Sequence, residues 1–165
     1  MPIRRIVKFG DPVLERPTER VGAIDGEVRA LVKDMIETMY AENGVGLAAN
    51  QVGVSKQIFI VSADQVHGKE MVFFNPRIIR TEGTLKEFEG CLSVPELYEP
   101  VKRAKTVWMK AITLEGKKVE VKASGLLSRI FQHETDHLNG FLFVDRLGFV
   151  KSALAKKKLL KRSSA

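Results

Sequence analysis

Apolar residues recur at intervals of three and four positions after Asp25. The members of this pattern are Val28, Leu31, Val32, Met35, Ile36 and Met39. Such spacing is typical of the buried face of an amphipathic helix, and aspartate is a favoured residue at a helix N-cap. The pattern predicts a helix that begins at Asp25 and ends near Asn43-Gly44, where the glycine is expected to adopt the left-handed conformation.

A second helical pattern covers residues 126–138 and is followed by Gly140, which is well placed to end a helix. Its apolar positions are Leu126, Leu127, Ile130, Phe131 and Leu138. Because these positions predict burial, the polar side chains between them are expected to be buried with the helix.

β-branched and aromatic side chains are concentrated in residues 57–62 and 71–79, which favours strands. Residues 106–114 and 117–122 have the pattern of a hairpin around Glu115-Gly116. Short strands around one apolar helix predict an α+β fold, in which short mixed or antiparallel sheets pack around the helix over 126–138.

The chain has 165 residues, of which 44% are hydrophobic, and this length is typical of a single domain. Its one cysteine, Cys91, excludes a disulfide framework and favours a reducing compartment. The sequence contains no run of ~18 apolar residues that would predict a membrane span and no pattern of a secretory signal. We therefore expect a cytoplasmic monomer, although a transit peptide already removed would leave no trace.

The net charge of +7 is concentrated at the end of the chain. Residues 1–145 contain all 20 acidic residues and 20 of the 27 lysines and arginines, so this part is neutral. The other basic residues are Arg146, Lys151, Lys156, Lys157, Lys158, Lys161 and Arg162. We predict a neutral body over residues 1–148 and a basic tail over residues 149–165 rather than a basic domain.

Apolar residues in the tail favour a terminal helix, with a solvated chain end as the alternative. These residues are Val150, Ala153, Leu154, Leu159 and Leu160.

Residues 133–137 have the pattern H-E-x-x-H. Residues four apart lie on one face of a helix, so His133 and His137 can bind one metal ion while Glu134 handles the proton of a water molecule. Buried imidazole and carboxylate groups need polar partners, and a metal ion would supply them. The pattern predicts a metal site, with a chance match as the alternative.

A catalytic metal site needs a third protein ligand. Phe143 stands where metzincin proteases have a histidine, and no glutamate follows His137, unlike in thermolysin-like enzymes. The candidates upstream are His67, Cys91 and the carboxylates. His67 lies in a turn that is expected to be exposed, whereas a thiolate with two imidazoles is a known catalytic ligand set.

The segment over residues 44–51 combines glycines and alanines with Gln51. Small side chains leave the backbone N–H and C=O groups accessible, and the amide of Gln51 can donate to an oxyanion. No Lys-Ser/Thr follows the glycines, so this segment is not a phosphate-binding loop. Taken alone, it is also consistent with a tight connection.

Three segments together resemble the peptide deformylase family. The family motifs G-x-G-x-A-A-x-Q, E-G-C-L-S and Q-H-E-x-D-H match residues 44–51, 89–93 and 132–137, in that order. The likeness extends to Asp-Pro-Val-Leu at residues 11–14 and covers about residues 3–148. It implies an α+β fold in which residues 1–148 form the catalytic domain.

The resemblance also implies a chemistry. It implies that Glu134 is the general acid/base, and that Gln51 and the backbone N–H of Leu92 hold the oxyanion. The implied metal ligands are Cys91, His133 and His137. The implied cofactor is one divalent ion, ferrous iron, with zinc or nickel also accepted. The implied substrate is the formylmethionyl end of a new polypeptide, and formate is a product.

The methionine side chain of such a substrate needs an apolar slot beside the metal. The candidates for this slot are Val45, Gly46, Leu126 and Ile130, with ordinary core packing as the alternative. Glu89 and Arg103 are candidates for contacts to the peptide backbone, with a structural salt bridge as the alternative. Asp136 faces away from the two histidines and is predicted to anchor the helix through an ion pair.

Two other functions predict different ligand sets. A metallopeptidase that cuts internal amide bonds would need a third His or Glu ligand. A structural site in a nucleic-acid-binding module would need four protein ligands that leave no open position on the metal. The basic tail adds one candidate partner. An enzyme that acts on new chains meets phosphate-rich ribosomal RNA, which attracts basic segments.

Overall fold

Two antiparallel sheets contain the strands of the computed structural model, which describes residues 3–163. The five-stranded sheet has the order β1-β2-β3-β6-β7, and the smaller sheet pairs β4 with β5. The strands are β1 (Gly46–Ala48), β2 (Ile58–Val61), β3 (Met71–Glu82), β4 (Leu85–Cys91), β5 (Val94–Arg103), β6 (Thr106–Ile112) and β7 (Lys118–Ser124). The outermost residues of the predicted body and tail, 1–2 and 164–165, lie outside the described residues.

Helix α1 (Gly26–Ala41) begins as predicted, because the side chain of Asp25 accepts a hydrogen bond from the backbone N–H of Val28 at 2.9 Å. Its end differs in one detail. Asn43 adopts the left-handed conformation, with φ 56°, and Gly44 does not. Asparagine is one of the few residues with a side chain that tolerates this conformation.

Helix α2 (Leu126–Leu138) covers the predicted range. Gly140 follows it with φ 88°, and a Cβ at this position would lie 3.0 Å from the backbone of Arg16. The buried ring of Phe131 packs against Phe59 and Phe73 of the five-stranded sheet, with ring centroids 5.8 Å and 5.3 Å away. The α+β fold with sheets around a central helix is therefore confirmed.

The five-stranded sheet is covered on both faces where β1 and β2 lie. Ile58 and Ile60 belong to the apolar cluster that includes α1, whereas Phe59 and Val61 belong to the cluster that includes α2. Successive side chains of a strand point to opposite faces, so β2 is buried on both. This arrangement brings the end of α1, β1 and α2 together at one place.

Strand β5 contains two prolines, which are rare inside regular strands. The strand runs through Pro95 and Pro100. Proline lacks an N–H donor and is tolerated at the first residues of a strand and on edge strands. Among the strands of residues 3–163, β5 pairs only with β4, so its other edge does not need that donor.

Helix α3 (Phe149–Ser163) includes most of the basic tail. Its buried residues are Ala155 and Leu159, which pack in a cluster with Val94, Leu97 and Val101 of β5. Of the five apolar residues in the sequence pattern, Leu159 is buried as expected, whereas Val150, Ala153, Leu154 and Leu160 are exposed. Lys156 forms an ion pair with Asp145 at 2.6 Å. Within residues 3–163, no helix is long and apolar enough to cross a bilayer.

Candidate metal centre and active site

Cys91, His133 and His137 bring three potential ligand atoms together. Cys91 ends β4, and the histidines lie one turn apart on α2. His137 Nε2 is 3.2 Å from His133 Nε2 and 3.3 Å from Cys91 Sγ, and the three atoms lie within 4.8 Å of one another. His67 is not a member of this group. Its ring stacks on the ring of Tyr40, with 3.8 Å between the centroids.

The donor set fits a divalent metal ion. A tetrahedron with metal–ligand bonds of about 2.0–2.3 Å has edges of about 3.3–3.6 Å, close to the observed contacts of His137. Burial and the neighbouring His133 lower the pKa of His137 well below its usual value. Burial opposes the protonation of His133, but Glu134, Cys91 and Glu89 outweigh it and raise its pKa. A metal bound by the two facing nitrogens would displace any proton that lies between them.

Glu89 orients His133 from the side opposite the other ligands. Its Oε1 lies 2.9 Å from His133 Nδ1, and both of its oxygens accept hydrogen bonds from Arg103 at 2.9 Å. Burial raises the pKa of Glu89, but the hydrogen bonds from His133 and Arg103 outweigh it and lower the pKa to about 2. The carboxylate is therefore charged and accepts the proton of His133 Nδ1, which leaves Nε2 for a metal.

A buried ionic network continues behind Glu89. Arg103 also donates to Asp136 Oδ2 at 2.6 Å, and Asp136 accepts two further hydrogen bonds from Arg146. The ion pair predicted for Asp136 is therefore present, and it joins α2 to the short 3-10 helix over Phe143–Arg146.

Glu134 is buried beside the histidines. Its Oε1 makes no hydrogen bond to any residue in the range 3–163, and burial raises its pKa to about 7. A Cβ at Gly46 would lie 2.6 Å from Glu134 Oε2 and 3.0 Å from Ile130. A side chain at the second glycine of the 44–51 segment would displace this carboxylate, and glycine leaves room for it.

Gln51 lies against the same site, in a short 3-10 helix (Ala49–Val52) that follows β1. Its Oε1 accepts a hydrogen bond from the backbone N–H of Ala48 at 3.0 Å. Its Nε2 donates to Ser93 Oγ at 3.2 Å and lies 3.5 Å from Cys91 Sγ. The amide therefore both fixes the turn and presents its donor group to the sulfur side of the centre.

A cavity of about 540 Å³ opens onto these groups. Its wall includes Glu134, Gln51, Cys91 and Leu92, the last of which stands in the turn between β4 and β5. The residues predicted for the methionine slot also line it: Val45, Gly46, Leu126 and Ile130. The structure thus brings together the predicted metal, catalytic and apolar residues around one cavity.

Arg103 requires a correction. It does not line this cavity, its exposure is 5%, and three of its nitrogens donate to Glu89 and Asp136. It cannot contact a peptide while it holds these carboxylates, so the salt-bridge alternative is correct. The same bonds account for Glu89.

Sequence reasoning missed several residues of the outer wall, among them Phe88, Tyr98 and Arg129. Phe88 and Tyr98 are 69% and 68% exposed at the cavity, and Arg129 lines it from α2. The Tyr98 ring occupies the space above Gly90, where a Cβ would lie 2.5 Å from it. Only Arg129 had a signal in the sequence, because it precedes His133 by one helical turn.

Comparisons with known proteins agree with this geometry. Residues 3–153 match the family model described as polypeptide deformylase. A peptide deformylase of Acidobacterium capsulatum is 45% identical over 167 residues, which cover 100% of this chain and 98% of the relative. One of Dictyoglomus turgidum is 46% identical over 94% of this chain and 99% of its own length.

Solved structures give the same result. A peptide deformylase from Legionella pneumophila matches with a TM-score of 0.92 and 40% identity, over 99% of this chain and 96% of that one. A peptide deformylase from Ehrlichia chaffeensis, in complex with actinonin, matches with a TM-score of 0.90 and 36% identity over 100% of both chains.

Proposed function

This chain belongs to the polypeptide deformylase family of enzymes, and on that basis we propose that it removes the formyl group from the N-terminal formylmethionine of new polypeptides and releases formate. The observation that carries the proposal is the convergence of Cys91, His133 and the fully buried His137 at a cavity that Glu134 also lines. The complex of the Ehrlichia chaffeensis relative with actinonin is a property of that protein, and it supports a ligand site in the matching fold.

Cys91, His133 and His137 would hold one divalent ion. When bound, such an ion supplies Lewis acidity, which makes a water molecule more acidic and a carbonyl group more electrophilic. We propose ferrous iron, following the family resemblance. Zinc and nickel remain acceptable because sites of this donor type bind several divalent metals.

Glu134 would move the proton that the hydrolysis requires. Its carboxylate is buried, has a free oxygen within the described part of the chain and has a pKa raised to about 7. A group with this pKa can take a proton from water and pass it to the departing nitrogen. Cleavage of the formamide C–N bond then yields formate and the free amine of methionine.

Gln51 and Leu92 would stabilise the negative charge that develops on the formyl oxygen. Gln51 Nε2 lies 3.5 Å from Cys91 Sγ, and the peptide N–H of Leu92 follows Cys91 directly in the wall of the same cavity. Fixed donors at this position stabilise an oxyanion more than a neutral carbonyl. The methionine side chain would occupy the space between Val45, Gly46, Leu126 and Ile130.

The decisive experiment measures formate release from formyl-Met-Ala by anaerobically purified protein, with metal analysis of the same sample. We expect release of formate together with about one equivalent of metal per chain. An unformylated casein substrate tests the metallopeptidase alternative. An inactive sample with iron bound would contradict the proposal.

Two partners follow from the same proposal. The nascent formylated chain is the substrate, and the basic tail would contact ribosomal RNA. Three exposed lysines of α3 support this contact: Lys151, Lys157 and Lys158. The division of the chain at residue 148, the monomeric state and the cytoplasmic location stay predictions.

A further inference from the structure

Arg129 places a permanent positive charge in the wall of the active-site cavity. Its Nη2 donates to the backbone carbonyl of Phe88 at 2.7 Å, and its buried Nε makes no hydrogen bond within residues 3–163. No carboxylate in that range forms an ion pair with it. A guanidinium has five N–H donors, so Arg129 has donors that no partner in the described chain uses.

The position of Arg129 is outside the reacting centre. The inner wall contains Cys91 and Glu134, whereas the outer wall contains the exposed rings of Phe88 and Tyr98. Arg129 is bonded to the outer wall through the carbonyl of Phe88. The other charged residue of the outer wall, Glu42, is exposed at the end of α1 and has the opposite sign.

The helix spacing relates Arg129 to the second residue of a substrate. Arg129 precedes His133 by four residues, which is about 6 Å along a helix axis. The formyl carbon lies about 2.4 Å from the methionine Cα, and consecutive Cα atoms of an extended peptide are about 3.8 Å apart. The Cα of the residue after formylmethionine therefore also lies about 6 Å from the formyl carbon. A peptide whose formyl group is at the metal ligands and whose chain leaves along α2 would carry its second side chain at the level of Arg129.

We infer that Arg129 is a specificity-determining residue that favours formylated peptides with an acidic side chain directly after the methionine. This inference rests on the proposed function and adds a preference to it. The attraction is a partly solvated ion pair, for which about a three- to fivefold preference for Glu over Gln is expected. The preference is electrostatic, so it decreases as salt screens the charges.

The test compares kcat/KM for formyl-Met-Glu-amide and formyl-Met-Gln-amide, since the terminal amide removes a competing carboxylate. The ratio of the two values does not depend on the fraction of active enzyme. It is measured for the wild type at low and at 0.5 M salt (about a 4–5 Å screening length), and for Arg129→Gln and Arg129→Lys. Arg80→Gln, on the outer face of the large sheet where Arg80 lies over Trp108, is the matched control for loss of one positive charge.

We expect the ratio to fall to about one in Arg129→Gln and in high salt, and to persist in Arg129→Lys and Arg80→Gln, because a surface ion pair depends on charge. A wild-type ratio of one, or an unchanged ratio in Arg129→Gln, would overturn the inference even if formyl-Met-Ala is hydrolysed normally. Absence of formate release from every formylated peptide by the wild type would instead refute the proposed function.

Discussion

The carboxylate of Glu89 connects His133 to Arg103: one oxygen lies 2.9 Å from His133 Nδ1, and both accept from the guanidinium. All three side chains lie inside the protein, and their exposed fractions are 6% for Glu89, 11% for His133 and 3% for Arg103. Partners of this kind fix the tautomer and the ring orientation of a metal-binding histidine. Glu89 and Arg103 are therefore positioning residues.

Replacement of Glu89 by Gln should weaken metal binding by about 10–100-fold, the usual effect of losing such a partner. The amide keeps the shape of the side chain but removes the charge that holds His133 Nδ1–H and Arg103. The measurement is metal retention during titration with a chelator. Glu87→Gln, at an exposed position of the same strand, is the control and should bind metal normally; equal affinity in both variants would contradict the role of Glu89.

Replacement of Glu134 by Gln should lower kcat by about 10²–10⁴-fold while metal content stays the same, because the proton carrier is lost. Glu134 is not one of the three converging donors, so the metal is expected to remain bound. The measurement pairs formate release with metal analysis. Near-normal turnover at full metal occupancy would exclude Glu134 as the acid/base.

Replacement of Gln51 by Ala should lower kcat by about 10²–10³-fold, the usual cost of losing one oxyanion donor. It also removes the acceptor for the Ala48 N–H, so a loss of about 1 kcal/mol in the free energy of unfolding is expected as well. Kinetics and thermal unfolding are therefore measured on the same sample. A variant that is less stable but turns over normally would leave Gln51 only its role in the turn.

Removal of the metal should inactivate the protein without unfolding it. The three apolar clusters are built from other residues, and only Cys91 packs against one of them. Circular dichroism after treatment with a chelator should therefore show folded protein, and added divalent metal should restore turnover. Unfolding on chelation would indicate a structural metal site.

Charge removal on α3 should separate ribosome binding from catalysis. Lys151, Lys157 and Lys158 are exposed, so their replacement by Gln leaves the buried Ala155 and Leu159 in place. We expect unchanged kcat on a short peptide and loss of salt-sensitive co-sedimentation with ribosomes. The control is the same replacement at Lys86, Lys110 and Lys118, which are exposed on strands. Truncation after Gly148 is a less specific test, because it also removes the packed face of α3.

Co-sedimentation that is equal in the tail variant, the control and the wild type would show that the tail is not the contact. A fall in kcat of the tail variant would mean that α3 also supports the catalytic body.

Elements whose signals are local can be predicted from the sequence. The N-cap at Asp25, the bounds of α2 and the turn at Gly140 follow from side-chain spacing and backbone preference within a few residues. The pairing of His133 with His137 belongs to the same class, because helix geometry alone brings residues four apart to one face. The motifs that resemble the deformylase family added Cys91 to this pair, although Cys91 lies 42 positions before His133 in the chain.

Roles that depend on partners distant in sequence follow from the three-dimensional packing instead. Arg103 and Glu89 carry charges that suit a peptide contact or a salt bridge equally well. The salt bridge forms because the fold brings three elements together: Arg103 of β5 donates to Glu89 of β4 and to Asp136 of α2. The buried face of α3 contains Ala155 and Leu159 rather than the more apolar Val150 and Leu154, since the surface of β5 sets which side packs. The position of Arg129 in the cavity wall, beside Phe88 of β4, is visible only in the folded structure. Local physics fixes where an element begins and ends, whereas burial and charge pairing depend on which elements meet in three dimensions.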